Sequence, residues 1–188
     1  MNICMMKSIL LQNNIFILMD PIFRKAALPD LPQIWAILQQ AILRRQADGS
    51  NQWQDGYPNS EVVANDIVKG VGYVLVVQDK IAAYCAILIN DEPEYENLQG
   101  EWLTHANFVV FHRIAVAEEY LGKGLARLIF DHIESFARQH QICSIKADTN
   151  FDNAAMLHLF AQTGYVYCGE VYFRGSPRKA FEKVLLNY

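Results

Sequence analysis

Residues 111–139, FHRIAVAEEYLGKGLARLIFDHIESFARQ, constrain this chain more than any other stretch, because an apolar strand-like run passes through a glycine-bearing turn straight into an amphipathic helix. The turn is Gly122-Lys123-Gly124. A helix that starts from such a turn leaves its first backbone N–H groups unpaired, and its dipole adds partial positive charge at that end. Glycine lets the backbone approach a bulky anion, and Lys123 and Arg127 bring full charges to the same place. The stretch reads as an anion cradle between a strand and a helix.

Spacing decides which cradle. A Walker loop needs a glycine four residues before Gly-Lys-Ser/Thr, and neither the upstream glycine nor the hydroxyl is here. The dinucleotide fingerprint needs a third glycine where Arg127 stands. What the residues do match is the Gln/Arg-x-x-Gly-x-Gly/Ala signature after a strand, with Gly124 and Ala126 in place and Leu121 standing for Gln or Arg. In this the stretch resembles motif A of the GNAT-type N-acetyltransferase superfamily.

The rest of the chain is consistent with one domain. Its 188 residues, 52% hydrophobic, suffice for one sizeable core and are too few for two. Sixteen Lys and Arg against 20 Asp and Glu give a net charge of −4, so no global basic field exists to hold nucleic acid or an anionic membrane, and any anion site must be local. Cys4, Cys85, Cys143 and Cys168 form no CxxC, and five scattered histidines form no HxxxH, so neither a redox pair nor a metal is expected. Residues 1–18 are apolar but broken by Lys7 and Gln12-Asn13-Asn14, too short a run for a span or a signal core. They read as an N-terminal extension before a single domain over residues 19–188, with Met19 a second candidate start and a cytoplasmic protein expected.

Periodicity predicts a strand at 21–26 and a helix from Pro29 to near Arg45. A Gly/Asn/Asp/Ser-rich loop follows that carries Trp53 and Tyr57, then a helix from Ser60 as N-cap to Lys69. A hairpin turning at Asp79-Lys80, a solvated acidic loop at 91–96 and a strand at 107–116 come next. Beyond the cradle helix lie a strand at 142–147, a helix capped by Asp152 and closed by Gly164, and strands at 165–173 and 179–185 joined by a loop at 174–178. The order is α+β with a mixed sheet.

That order is similar to the GNAT fold from about Pro21 onward, and Asn153-Ala154-Ala155-Met156 with Thr163-Gly164-Tyr165 is similar to the family's Asn-x-x-Ala and Gly-Phe segments. The resemblance implies a mostly antiparallel sheet flanked by helices, with a splay between strands 111–116 and 142–147 that takes acetyl-CoA as co-substrate. It implies coenzyme contacts from Ile114 and Val116 along the arm, and from Leu121, Gly122, Lys123, Gly124, Leu125, Ala126 and Arg127 around the pyrophosphate. Asn153 is either a further contact or a helix-start residue. A backbone N–H near Val116 would serve the oxyanion. The family's proton-donating tyrosine falls on Phe160, which is expected beside the thiol but has no proton to give; water, another tyrosine or His158 could replace it, or the thiolate could leave unaided.

His112 is the candidate base, because strand alternation puts it on the face of Ile114 and Val116 and imidazole titrates near neutrality; a sheet-face histidine with no catalytic part is the competing reading. Arg113 then points the other way, as a structural residue or an anchor for a carboxylate. Trp53, Gln54, Asp55 and Tyr57 are expected to form the acceptor pocket, since aromatic faces with one carboxylate attract an ammonium group; pinning of the loop by its aromatics is the alternative. The expected function is transfer of acetyl from acetyl-CoA to a primary amine of a small molecule or peptide by direct attack, without metal. The alternative is an acyl-CoA-binding regulatory module with little turnover. A homodimer is left open.

Overall fold

The computed structural model describes residues 21–173 and 175–186, so the apolar extension and Met19 lie outside the described residues. Strand β1 (Ile22–Lys25) leads to helices α1 (Leu31–Ala47) and α2 (Ser60–Val68), and β2 (Gly72–Val77) and β3 (Lys80–Ile89) form a hairpin. A 3-10 turn (Pro93–Asn97) and the two-residue β4 (Gln99–Gly100) precede β5 (Phe108–Val116). Then come α3 (Leu125–Gln139), β6 (Ser144–Thr149), α4 (Ala154–Thr163), β7 (Val166–Phe173) and β8 (Ser176–Val184). The strands form one sheet in the order β1-β2-β3-β5-β6-β8-β7-β4. Every neighbouring pair is antiparallel except β5 and β6. The expected α+β class with a mostly antiparallel mixed sheet is the one found.

Local chemistry explains where elements begin and end. Asn59, not Ser60, caps α2 by accepting from Val62 N–H, and Asn153, not Asp152, caps α4 by accepting from Met156 N–H. Gly164, at φ 82°, ends α4 in the left-handed conformation. The β2–β3 turn is Gln78-Asp79, both at positive φ, one residue earlier than the pattern suggested, because Lys80 already pairs with Val77. Strand β6 starts at Ser144 and runs through Asp148 and Thr149, which pair with Ala180 and Lys179 of β8. Strand β8 itself starts at Ser176, inside the expected loop.

Cross-strand partners share a face, which assigns the layers. Helices α3 and α4 cover one face: Phe111 of β5 meets Phe130 of α3, and Phe160 of α4 packs on Phe111, Phe130 and Phe181. Helix α3 buries Leu125, Ile129, Phe130, Ile133 and Ala137, about 1.5–3 kcal/mol for each large side chain among them. On the other face, Tyr84 donates to Asp66 of α2 (2.6 Å). That face carries a second, smaller core of Tyr95, Trp102, Val110, Cys168, Val171 and Ala180. The acidic stretch at 91–96 is therefore not a solvated loop throughout: Tyr95 is buried and donates to Asp148 at 2.8 Å. Buried Glu182 of β8 ties the following segment down, accepting from Leu103 N–H, from Thr104 N–H and hydroxyl, and from the Ser144 hydroxyl.

Candidate active site

The sheet opens where the parallel pair, β5 and β6, begins to part. Strands β5 and β6 are paired from Phe108 with Ser144 to Val110 with Lys146, and the register ends there although both strands run on. The same part of β5 carries a bulge: Tyr84 pairs with Ala115 but Ala86 with His112, and Arg113 between them sits at φ 56°. Beyond the bulge Ala117 N–H donates to Ala82, so by antiparallel alternation the N–H and C=O of Val116 face away from β3, into the opening. Arg44 of α1 donates to that carbonyl at 3.0 Å.

The bulge corrects the expected orientation of His112. It shares a face with Val110 and Ala115, whereas Val116 shares the face of Phe111, because the extra residue reverses the alternation between them. His112 nonetheless reaches the opening and lies 3.1 Å, Nε2 to Oε2, from Glu92. Arg113 anchors a carboxylate, one of the roles expected, but the bulge turns it to the face of Tyr84 and His112 and not to the opposite one: its Nε and Nη2 donate to the two oxygens of Asp66 at 2.9 and 2.8 Å, and its Nη1 donates to the Tyr57 hydroxyl. Burial works against the Arg113 charge, but Tyr57, Asp66 and Tyr84 outweigh that cost and raise its pKa.

Two adjoining cavities fill the opening. The first, about 190 Å³, runs from Val116 past Leu121 and Ala126 to Leu159 and is walled by Arg44 and Arg45. The second, about 60 Å³, holds Tyr57, His112, Arg113, Asp148 and Arg178, and the two share Gln52, Trp53, Ile114, Asn153 and Met156. At the mouth of the first stands the glycine turn, with Gly122 at φ 71° and Gly124 at φ 80°. Among the described residues no side chain caps α3 at Gly124, and a Cβ built on either glycine would meet none of their atoms within 4 Å. The turn is thus kept bare toward solvent, with the first N–H groups of α3 turned outward. Lys123 and Arg127 do not converge on it: Lys123 Nζ lies 5.3 Å from the Tyr120 ring centre, and Arg127 pairs with Asp131 at 3.1 Å.

Several expected residues are placed differently. Phe160 is 0% exposed, enclosed by aromatic rings, and lines neither cavity; Ala155, Met156 and Leu159 are the α4 residues that do, so its assignment beside the thiol is corrected. Gln54 and Asp55 are exposed and line neither cavity, while Trp53, Tyr57 and the unforeseen Gln52 do. Asp55 instead accepts from Tyr57 N–H, and Gln54 donates to Ile42 and Gln52 carbonyls. Asn153 is the helix-start residue, capping α4, and it also lines both cavities, with its Nδ2 donating to Gln52 at 3.0 Å. Sequence reading also missed Glu92, Asp148, Arg178, Arg44 and Arg45. Arg44 Nη1 and Arg45 Nη1 are buried without a partner among the described residues, and both arginines line the first cavity near a helix start, which makes that cavity a fit for an anionic, carbonyl-rich arm.

Residues 37–165 match the family model for the acetyltransferase (GNAT) family. The chain belongs to that family. Among solved structures, a GNAT-family acetyltransferase from Streptococcus agalactiae 2603 is similar at 30% identity and a TM-score of 0.81, over 89% of this chain and 96% of that one. Two others share the fold at lower identity. A putative acetyltransferase from Staphylococcus aureus Mu50 has 24% identity and a TM-score of 0.69, over 88% of this chain and 99% of that one. A putative acetyltransferase from Salmonella typhimurium, solved with its cofactor acetyl-CoA, has 15% identity and a TM-score of 0.65, over 90% and 96%. The comparison with curated proteins gave no match. GNAT enzymes transfer acetyl groups from acetyl-CoA, and the opening between β5 and β6 is where this chain has a cleft bounded by a helix start. Among the described residues no cluster of three His, Cys, Asp or Glu could hold a metal, and no helix is long and apolar enough to cross a membrane.

Proposed function

We propose that the protein moves an acetyl group from acetyl-CoA to a primary amine of a small molecule or peptide by direct attack. The observation that carries this reading is the pair of adjoining cavities in the β5–β6 opening, one ending at the bare N-terminus of α3 and the other at His112 and Tyr57. In it, the backbone N–H groups of residues 121–127 hold the pyrophosphate, and the Ile114 and Val116 backbone lies along the pantetheine arm. Acetyl-CoA supplies the activated thioester. The Val116 N–H, turned into the opening, steadies the oxyanion, and the ring of His112, held against Glu92, takes the proton from the attacking amine. Trp53 and Tyr57 form the aromatic wall that receives the acceptor.

Calorimetric titration with acetyl-CoA, followed by acceptor-dependent thiol release over a panel of amines, tests the proposal. Binding without any acceptor-dependent release would replace transfer by mere binding. Replacement of the base by His112→Gln is expected to lower kcat/KM by about 10²–10⁴-fold with acetyl-CoA affinity kept. An unchanged pH–rate profile in that variant would take the base role away from His112.

A further inference from the structure

A cavity of about 360 Å³ lies on the sheet face away from α3, under the segment that carries the Pro93–Asn97 turn and β4. Tyr95, Trp102 and Phe108 wall it, and Lys146 lines it from β6. Lys146 is only 4% exposed, and its Nζ lies 4.4 Å from the Trp102 ring centre and 4.6 Å from that of Phe108. Those two rings are its partners; among the described residues no carboxylate or other acceptor bonds to its Nζ. Its cross-strand neighbour Glu182 is fully buried but is already engaged by Leu103, Thr104 and Ser144. Burial pushes the Lys146 pKa down, against the opposing pull of Glu182 and Cys168. Burying most of a lysine side chain weakens the hydration of its ammonium, and two ring faces make up only part of that loss. Ring faces also leave its N–H donors without lone pairs.

We propose that this cavity binds a small monocarboxylate with an apolar body, the carboxylate accepting from Lys146 Nζ. One ammonium matches one negative charge. A phosphate ester is disfavoured relative to a monocarboxylate, because Glu92 and Glu96 line the same cavity and repel a dianion about twice as strongly as a monoanion. Aromatic walls suit an apolar body rather than a sugar. The site is separate from the acetyl-transfer cleft, from which it is divided by the Glu92–His112 and Tyr95–Asp148 contacts, so it stands whether or not the transfer reading holds.

Titration calorimetry of the full chain at neutral pH with acetate, butyrate and phenylacetate, and with phenylacetamide as the uncharged counterpart, tests it. One site per chain is expected, with phenylacetate at least about tenfold tighter than phenylacetamide. In Lys146→Met, which keeps the stem but not the charge, that preference should vanish. No binding by any of the three acids up to about 10 mM, far weaker than the affinities of specific sites, would overturn the proposal, as would an acid preference that survives in the variant. Should Lys146→Met fail to fold, the wild-type comparison decides alone: acid and amide binding equally well overturns the carboxylate site.

Discussion

Gly122 and Gly124 were legible as a turn into a helix because a positive φ at no steric cost is a property of the residue itself, and both adopt it. Placing an L side chain at φ 80° costs roughly 1–2 kcal/mol. Since its Cβ would meet only open space, Gly124→Val is expected to fold, with a melting temperature within a few degrees of wild type and acetyl-CoA binding weakened by about tenfold or more, read by calorimetry. Lys146 was not legible at all, because nothing in an alternating strand pattern reveals that a lysine faces rings instead of water. Its folded pKa lies below the ordinary lysine value, so between the two the unfolded chain binds more protons and stability rises with pH. Urea unfolding of wild type and Lys146→Met across the alkaline range just below 10.5 should show wild type gaining relative to the variant as pH rises. A constant difference would mean that burial leaves the ammonium untouched.

Among the elements, helices were read well and strand faces less so. Leu125, Ile129, Ile133 and Ala137 of α3 recur every four residues, with Phe130 next to them, and that period needs no partner to be seen. The face of His112 could not be read the same way, because the bulge at Arg113 depends on how β5 meets β3, a tertiary fact. What secures the bulge is a buried network: Arg113 grips Asp66 of α2, Asp66 accepts from Tyr84, and the remaining Arg113 donor reaches Tyr57 in the α1–α2 loop. One guanidinium thus fixes a strand, a helix and a loop around the second cavity. Asp66→Ala leaves that charge buried without its carboxylate and is expected to cost about 3–5 kcal/mol, visible as a lower urea midpoint. A loss under about 1 kcal/mol would mean that water reaches the guanidinium. The two-residue β4 went unread because Gln99 and Gly100 are too few to carry a pattern; its place is fixed by the close approach of Gly100 to Gly169, where a Cβ would come within 2.0 Å of the Cys168 carbonyl oxygen.

At the scale of the whole molecule, the order of elements and the class of sheet follow from the sequence, while the parting of β5 from β6 came only from resemblance, since each strand taken alone looks as if it should pair to its end. The parting leaves β1, β2, β3 and β5 joined in the ladder to β6, β8, β7 and β4 by Phe108, Val109 and Val110 against Ser144, Ile145 and Lys146. A ladder that short leaves side-chain packing, such as Phe160 on Phe111 and Phe181, to hold much of the seam together. A molecule lying along Val116 and Ile114 would supply rungs the chain withholds. Hydrogen-exchange mass spectrometry should accordingly show acetyl-CoA slowing exchange on both sides of the seam, in the ends of β5 and β6 and the start of α4, and not at the glycine turn alone. At a hundredfold excess over Kd the ligand adds about 2.7 kcal/mol to the folded state. The fold is then a sheet left unfinished, and under the proposed function its co-substrate is the piece that completes it.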